Sequence, residues 1–148
     1  MNRLASLTLA AAGAALSLPA IAQFAKTEDA VKYRQSAMFI QNYHMSRLGA
    51  MANGRAPYEA ASATSNAEVV AQMSKLPWIG FAAGTEGGKA KPEIWKEQAK
   101  FKELSDKLVS ETDKLLVASK AGNLDALKAT VSAVGETCKS CHDTFRSK

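Results

Sequence analysis

The chain has 148 residues, a formal net charge of +5 and 47% hydrophobic residues, which fits one globular domain. It contains no cluster of Lys and Arg with interleaved aromatic residues, so the positive charge does not indicate a nucleic-acid-binding protein. No paired carboxylates and no nucleophile beside a base stand out, so the sequence does not predict an enzyme.

The first 22 residues have the pattern of a secretory signal peptide. Arg3 provides a basic start, a run of apolar and small residues extends from Leu4 to Leu18, and Ala20-Ile21-Ala22 is an A-x-A cleavage site. The alternative is a membrane anchor, but a span needs about 20 apolar residues and this run is shorter. We therefore expect residues 1–22 to be cleaved, leaving an exported domain of residues 23–148 with no membrane span.

The first half of that domain predicts two helices. One extends from about Glu28 to Met51 with Thr27 as its N-cap, and the second, rich in Ala, extends from about Tyr58 to Ser74. The first helix carries one inward-facing stripe, which comprises Val31, Arg34, Met38, Met45 and Leu48.

The segment from Leu76 to Lys91 is predicted to be irregular because it holds Pro77 and four glycines. It is long for a connection between two helices, which indicates a functional role. Its large apolar residues predict a loop packed over a buried group; they are Leu76, Trp78, Ile79 and Phe81.

Two further helices are predicted in the second half. The third begins at Pro92, near N1, and continues to about Ala121, with Ile94, Phe101, Leu108 and Leu115 repeating every seven residues. The fourth begins at Leu124 with Asn123 as its N-cap, and its apolar seam comprises Leu127, Val131, Val134, Cys138, Cys141 and Phe145. The pattern predicts an all-α fold, an antiparallel up-down-up-down four-helix bundle.

Cys138, Cys141 and His142 form the motif C-x-x-C-H, the attachment signature of a c-type haem. The two thiols would bind the haem vinyl groups covalently, and the imidazole would bind the iron. A redox dithiol is an alternative, but it would be expected in a βαβ setting. A zinc site that also uses His44 is a second alternative, although neighbouring Cys141 and His142 are poorly placed to complete one tetrahedron.

The motif lies on the apolar seam of the fourth helix. At about 100° per residue, its two thiols and its imidazole fall within one arc of about 100°. A haem attached there would therefore lie on the inward face and form part of the core.

Over nearly all of residues 23–148 the chain resembles cytochrome c′, the class II c-type cytochromes of bacterial periplasms. The resemblance lies in FAKTEDAVKYRQSA, in LPWIGFAAGTEGG followed by PEIW, and in CKSCHDTFR. It implies a periplasmic homodimer with one covalent haem c per subunit, five-coordinate and high-spin through His142.

The resemblance also implies roles for individual residues. Met38 matches the apolar side chain that blocks the distal haem face, where many members carry Leu. Arg34 matches an arginine near the haem edge, Arg146 a basic residue beside the proximal histidine, and Trp78 and Phe81 aromatics of the distal pocket.

The residues themselves leave two alternatives open. Met38 is either a packing methionine or the sixth iron ligand of a low-spin electron carrier, because methionine–histidine ligation occurs in c-type haems. Arg34 on an apolar stripe needs a partner, either a haem propionate or a glutamate on another helix. Arg146 suits a helix C-terminus and, four residues after His142, lies over the proximal face.

The expected function is the binding of small diatomic gases, nitric oxide and carbon monoxide, together with electron transfer to a periplasmic partner. A crowded apolar distal face disfavours water and anions, which would lose hydration without a hydrogen-bond partner. The alternative is a low-spin electron-transfer cytochrome in which Met38 binds the iron.

Overall fold

The computed structural model describes residues 23–148, so the predicted signal peptide of residues 1–22 lies outside the described residues. Four long helices dominate: α1 (Thr27–Ala52), α2 (Ala60–Met73), α4 (Gln98–Lys120) and α5 (Leu124–Phe145). A 3₁₀ helix (Pro77–Phe81) and a short helix α3 (Glu93–Lys96) lie in the long connection between α2 and α4. Within residues 23–148, no helix is both long and apolar enough to cross a membrane.

The long helices form the predicted antiparallel four-helix bundle. Helix α2 packs against α1 and α4, α5 packs against α4, and α5 also contacts α1, which closes the ring. Every long helix contributes to the central apolar cluster, whose buried members are Leu48, Met51, Ala63, Ala67, Val70, Leu108, Leu115, Leu127 and Val134. The seven-residue and 3-4 spacings therefore predicted the buried faces correctly.

Two details of the predicted helices are wrong. Thr27 is the first residue of α1 rather than its N-cap, and its hydroxyl donates to the Gly84 carbonyl (3.0 Å) instead of capping the helix. The predicted third helix is interrupted at Glu97, whose φ of −112° and ψ of 47° are not helical, so α3 and α4 are separate. By contrast, Asn123 caps α5 as predicted, because its side chain accepts from the Ala126 amide (3.0 Å).

The segment of residues 76–91, called the 76–91 loop below, packs only half of its large apolar side chains inward. Leu76 and Ile79 are 39% and 40% exposed, whereas Trp78 and Phe81 are partly buried and their rings stack at 6.4 Å. The 3₁₀ helix explains the division, because with three residues per turn positions 76 and 79 share one side and 78 and 81 the other.

Gly80 lies where the 3₁₀ helix approaches α1 most closely. A Cβ there would lie 3.0 Å from the Ala30 carbonyl oxygen and 3.0 Å from Arg34 Cβ. We expect Gly80→Ala to lower the free energy of unfolding by about 1–3 kcal/mol through overpacking, measured by chemical denaturation. Gly135→Ala is the control: nothing lies within 4 Å of its Cβ in α5, so it should raise stability by about 0.5–1 kcal/mol. Equal effects of the two substitutions would contradict the close approach.

Candidate functional site

A cavity of about 570 Å³ opens between α1, the 76–91 loop and the C-terminal end of α5. Its volume lies in the range of small-molecule and cofactor sites. The side chains from α1 that line it are Arg34, Gln35, Met38, Phe39 and Asn42. Those from the other elements are Phe81, Lys89, Ala90, Ile94, Phe101, Cys141, His142, Phe145 and Arg146.

The C-x-x-C-H motif lies entirely within α5, on continuous helix and not at a strand-to-helix junction. Cys141 and His142 line the cavity, and Cys138, one turn earlier, packs against the central apolar cluster. Both cysteines, the only two of the chain, are free and partly buried. The seam of α5 thus presents both thiols toward the interior, as the periodicity predicted, whereas His142 lines the cavity but is exposed.

The protein environment shifts the acid–base behaviour of these three groups. Burial raises the pKa of both thiols, and for Cys141, with Cys138 adding to the effect, the pKa reaches about 11. Lost hydration lowers the pKa of His142, the Arg146 cation lowers it further, and the Asp143 carboxylate opposes both. A lowered pKa favours the neutral imidazole, which is the form that binds a metal.

The α1 side of the cavity is formed around Met38. Its partly buried side chain lines the same cavity as His142 on α5. Phe39 also lines the cavity but is 71% exposed, and sequence reasoning had not assigned it to the site. The only indication in the sequence was that Phe39 is next to Met38, because Phe39 lies off the inward-facing stripe of α1.

Arg34 binds the 76–91 loop. Its side chain is only 3% exposed, and Nη1 donates to the carbonyls of Gly80 and of Thr85 (2.7 Å) while Nη2 donates to the Gly87 carbonyl (2.7 Å). The guanidinium also lies over the Phe81 ring, 4.5 Å from its centroid. The sequence correctly indicated a buried arginine in need of partners, but its partners are backbone carbonyls rather than a carboxylate on another helix.

A row of aromatic side chains begins beside the Arg34 guanidinium and continues into the cavity. Phe81 contacts Phe101 edge-on (4.9 Å between centroids), and Phe101 contacts Phe145 in the same way (5.3 Å). Trp78 contacts Phe101 at 5.7 Å but does not itself line the cavity, and its indole nitrogen donates to the Ser74 carbonyl (2.6 Å). Trp78 therefore supports the lining residues from behind.

The remaining predicted residues lie at the C-terminal end of α5 and on α1. Arg146 is the C-cap residue of α5, lines the cavity, and its amide donates to the His142 carbonyl (3.1 Å). His44 is bonded through Nδ1 to the Asn66 side chain on α2 (2.8 Å). Across residues 23–148, no group of three or more His, Cys, Asp or Glu side chains is arranged to hold a metal ion.

The residues present fit a covalent haem. The cavity combines thiols and an imidazole on one helix with a lining of Met38, Ile94 and aromatic rings, which suits an apolar macrocycle. Lys89 and Arg146 add cationic side chains at the same cavity, and these suit the two acidic propionates. A four-helix bundle that carries C-x-x-C-H on its last helix, beside such a cavity, is a c-type haem protein of the helical-bundle class.

The chain belongs to the cytochrome c′ family, since the family model described as Cytochrome C' matches residues 29–146. Cytochrome c' of Alcaligenes xylosoxydans xylosoxydans is 48% identical over 126 residues, covering 85% of this chain and 99% of that protein. Cytochrome c' of Rubrivivax gelatinosus is 43% identical over 129 residues, covering 85% of this chain and 100% of that protein. The family binds haem c covalently, which agrees with the prediction from the motif.

A solved structure with the same fold is a nitric oxide complex of a leucine-to-alanine mutant of cytochrome c prime from Alcaligenes xylosoxidans. It superposes with a TM-score of 0.83 at 48% identity, covering 85% of this chain and 99% of that one. The cofactor and the bundle fold are therefore those of the family that the sequence resembled.

Proposed function

We propose that this chain is a periplasmic gas-binding haem protein that also transfers electrons. Cys138 and Cys141 are the attachment thiols, and His142 is the proximal iron ligand. The observation that carries the proposal is the cavity itself, in which His142 on α5 and Met38 on α1 line one largely apolar space. When bound, the haem supplies an iron that takes small diatomic ligands and changes oxidation state.

The protein's own residues account for ligand selection. Met38 provides an apolar, polarisable side chain on the distal side, and contact with such a side chain costs an anion or water part of its hydration. The polar side chains of Gln35 and Asn42 line the same cavity. Phe81 and Phe101 extend the apolar lining. Such a site favours small neutral gases, and the nitric oxide complex known for a relative supports nitric oxide among them.

The proposal includes displacement of His142 from the iron by a strongly bound gas. The environment lowers the pKa of His142, with lost hydration as the main cause and the Arg146 cation as the second. The neutral imidazole that this environment favours is the form that binds a metal, so His142 is suited to the proximal position.

A homodimer is the proposed assembly. Three large apolar side chains of α1 are exposed: Phe39 at 71%, Tyr43 at 55% and Ile40 at 40%. A contiguous exposed apolar patch of this kind is typical of a protein–protein contact. Export to the periplasm follows from the signal-like pattern of residues 1–22.

The alternative function is a low-spin electron carrier in which the Met38 thioether binds the iron. The observation in its favour is that Met38 and His142 line the same cavity, so a thioether would be available as a second iron ligand beside the imidazole. The absorption spectrum separates the two functions. High-spin bands that shift with carbon monoxide support gas binding, and low-spin bands with a far-red sulfur-to-iron band support the carrier.

Met38→Ala tests the gas-binding proposal directly. Removing the side chain that a gas must displace should accelerate carbon monoxide binding to the ferrous protein by at least about tenfold, equivalent to about 1.4 kcal/mol of barrier. Stopped-flow absorption measures the rate. The control is Met45→Ala, since Met45 packs against the central cluster and does not line the cavity. Equal rates for Met38→Ala and the parent protein would remove Met38 from the distal face.

A further inference from the structure

The C-terminal end of α5 leaves four carbonyls without helical partners, as every α-helix does. Because Arg146 is the C-cap of α5, these belong to residues 143–146, directly after the proximal histidine. No glycine follows the helix: Arg146 has an extended backbone (φ −119°, ψ 130°), so the usual left-handed C-cap is not used. The carbonyls at the end of α5 must therefore accept hydrogen bonds from donors outside the helix.

One residue of the 76–91 loop satisfies three of them. Lys91 Nζ donates to the carbonyls of Asp143 (3.3 Å) and Thr144 (3.2 Å), and the Lys91 backbone amide donates to the Phe145 carbonyl (2.9 Å). The His142 carbonyl before them accepts the last helical bond, from the Arg146 amide (3.1 Å). Lys91 is therefore the cap of the haem-bearing helix, although it lies 52 residues from Asp143 in the chain.

Charge and backbone pairing reinforce this cap. An ammonium group near exposed helix carbonyls interacts favourably with the negative end of the helix dipole. The neighbouring backbone is paired as well, since Ser147 donates to the Lys89 carbonyl through its amide (2.9 Å) and its hydroxyl (3.1 Å). The 76–91 loop thus fixes the turn of α5 from which the His142 side chain projects.

We propose that Lys91 is a positioning residue for His142, which holds the last turn of α5 and so restrains the imidazole against leaving the iron when a gas binds. The inference rests on the proposed gas-binding function. It adds that proximal-ligand release is controlled by a loop lysine that does not line the cavity. A loosened cap frees the turn to move, and the imidazole moves with it.

The test variant is Lys91→Met in the holoprotein, which removes the ammonium but keeps the backbone bond to Phe145. Amide hydrogen exchange at Arg146 and Ser147 should become at least about fivefold faster, because the turn opens more often. The fraction of protein in which nitric oxide has displaced His142, read from the absorption spectrum at a fixed gas concentration, should rise by at least about twofold. Lys91→Arg, which keeps a cation and several donors, should restore both values.

A second lysine variant and the iron–histidine vibration distinguish a positioning role of Lys91 from a general effect of its charge. Lys96→Met removes an exposed positive charge at the end of α3 and should change neither value. Unchanged exchange in Lys91→Met, or faster exchange with unchanged histidine release, would overturn the positioning role. The iron–histidine stretching band of the ferrous protein, measured by resonance Raman, should broaden in Lys91→Met even without gas. If the parent protein binds no gas, the proposed function fails, while that band still tests Lys91.

Discussion

Replacing Arg34 by methionine should lower the free energy of unfolding by about 3–5 kcal/mol. The substitution removes the guanidinium as a donor to three carbonyls of the 76–91 loop, at Gly80, Thr85 and Gly87, and a hydrogen bond to a charged group contributes about 1.5–3 kcal/mol. The Thr85 carbonyl then has no donor, whereas the Gly80 carbonyl keeps the Thr85 hydroxyl (3.0 Å) and the Gly87 carbonyl keeps the Ala90 amide (3.4 Å). The cation over the Phe81 ring is lost as well. Chemical denaturation of the holoprotein, followed by circular dichroism, measures the change.

Two comparisons make this prediction specific. Arg47→Met removes an exposed arginine from the same helix and should change stability by no more than about 0.5 kcal/mol. Arg34→Lys keeps the charge but cannot reproduce the planar set of donors, so an intermediate loss is expected. If Arg34→Met and Arg47→Met had the same effect, the loop would not depend on the guanidinium.

Replacing both Cys138 and Cys141 by alanine should abolish covalent haem attachment completely. Both thiols lie on the seam of α5, and they are the only cysteines of the chain, so no other residue can form a thioether. The measurement is whether haem remains with the polypeptide after denaturation, by haem staining of a denaturing gel and by mass spectrometry. The proteins are produced together with the c-type cytochrome assembly machinery.

The control lies between the two cysteines. Ser140→Ala changes an exposed residue of the same motif and keeps both thiols and the imidazole, so it should retain a full complement of haem. Haem that stayed with the denatured double alanine variant would refute the attachment role of the two cysteines. Haem lost from Ser140→Ala to the same extent would show that the assay reports on the helix rather than on the thiols.

The bundle was predictable from the sequence because its determinants are periodic. Leu127, Val134 and Phe145 occupy the seam of α5 and are at most 2% exposed, as the spacing required. The motif was equally visible, since it is contiguous and both its thiols fall on that seam. Periodicity could not reveal the interruption at Glu97, because the seven-residue repeat from Ile94 to Phe101 continues across it while the backbone dihedrals do not.

The contacts that shape the site were largely beyond sequence reasoning. Arg34 and Lys91 act through bonds to backbone carbonyls, and a carbonyl is present at every position, so no residue type marks its partner. The same holds for the Thr27 hydroxyl, which had a capping role by pattern and bonds the Gly84 carbonyl instead. The sequence did indicate that Arg34, a cation on an apolar stripe, requires a partner. It also indicated that the glycine-rich 76–91 loop is too long to be a simple connection.

The long separations of these loop bonds bear on when the binding site forms during folding. Arg34 joins residues 46 to 53 positions away, and the bonds from Lys89 and Lys91 to the chain end span 52 to 58 positions. Helices form within about a microsecond, whereas contacts of large sequence separation form later because their loop-closure entropy comes first. Each helix can therefore form before the loop bonds do. Contact between α1, which ends at Ala52, and α5, which begins at Leu124, spans an even larger separation. The cavity, which lies between α1, the loop and α5, is therefore completed only when the bundle itself closes.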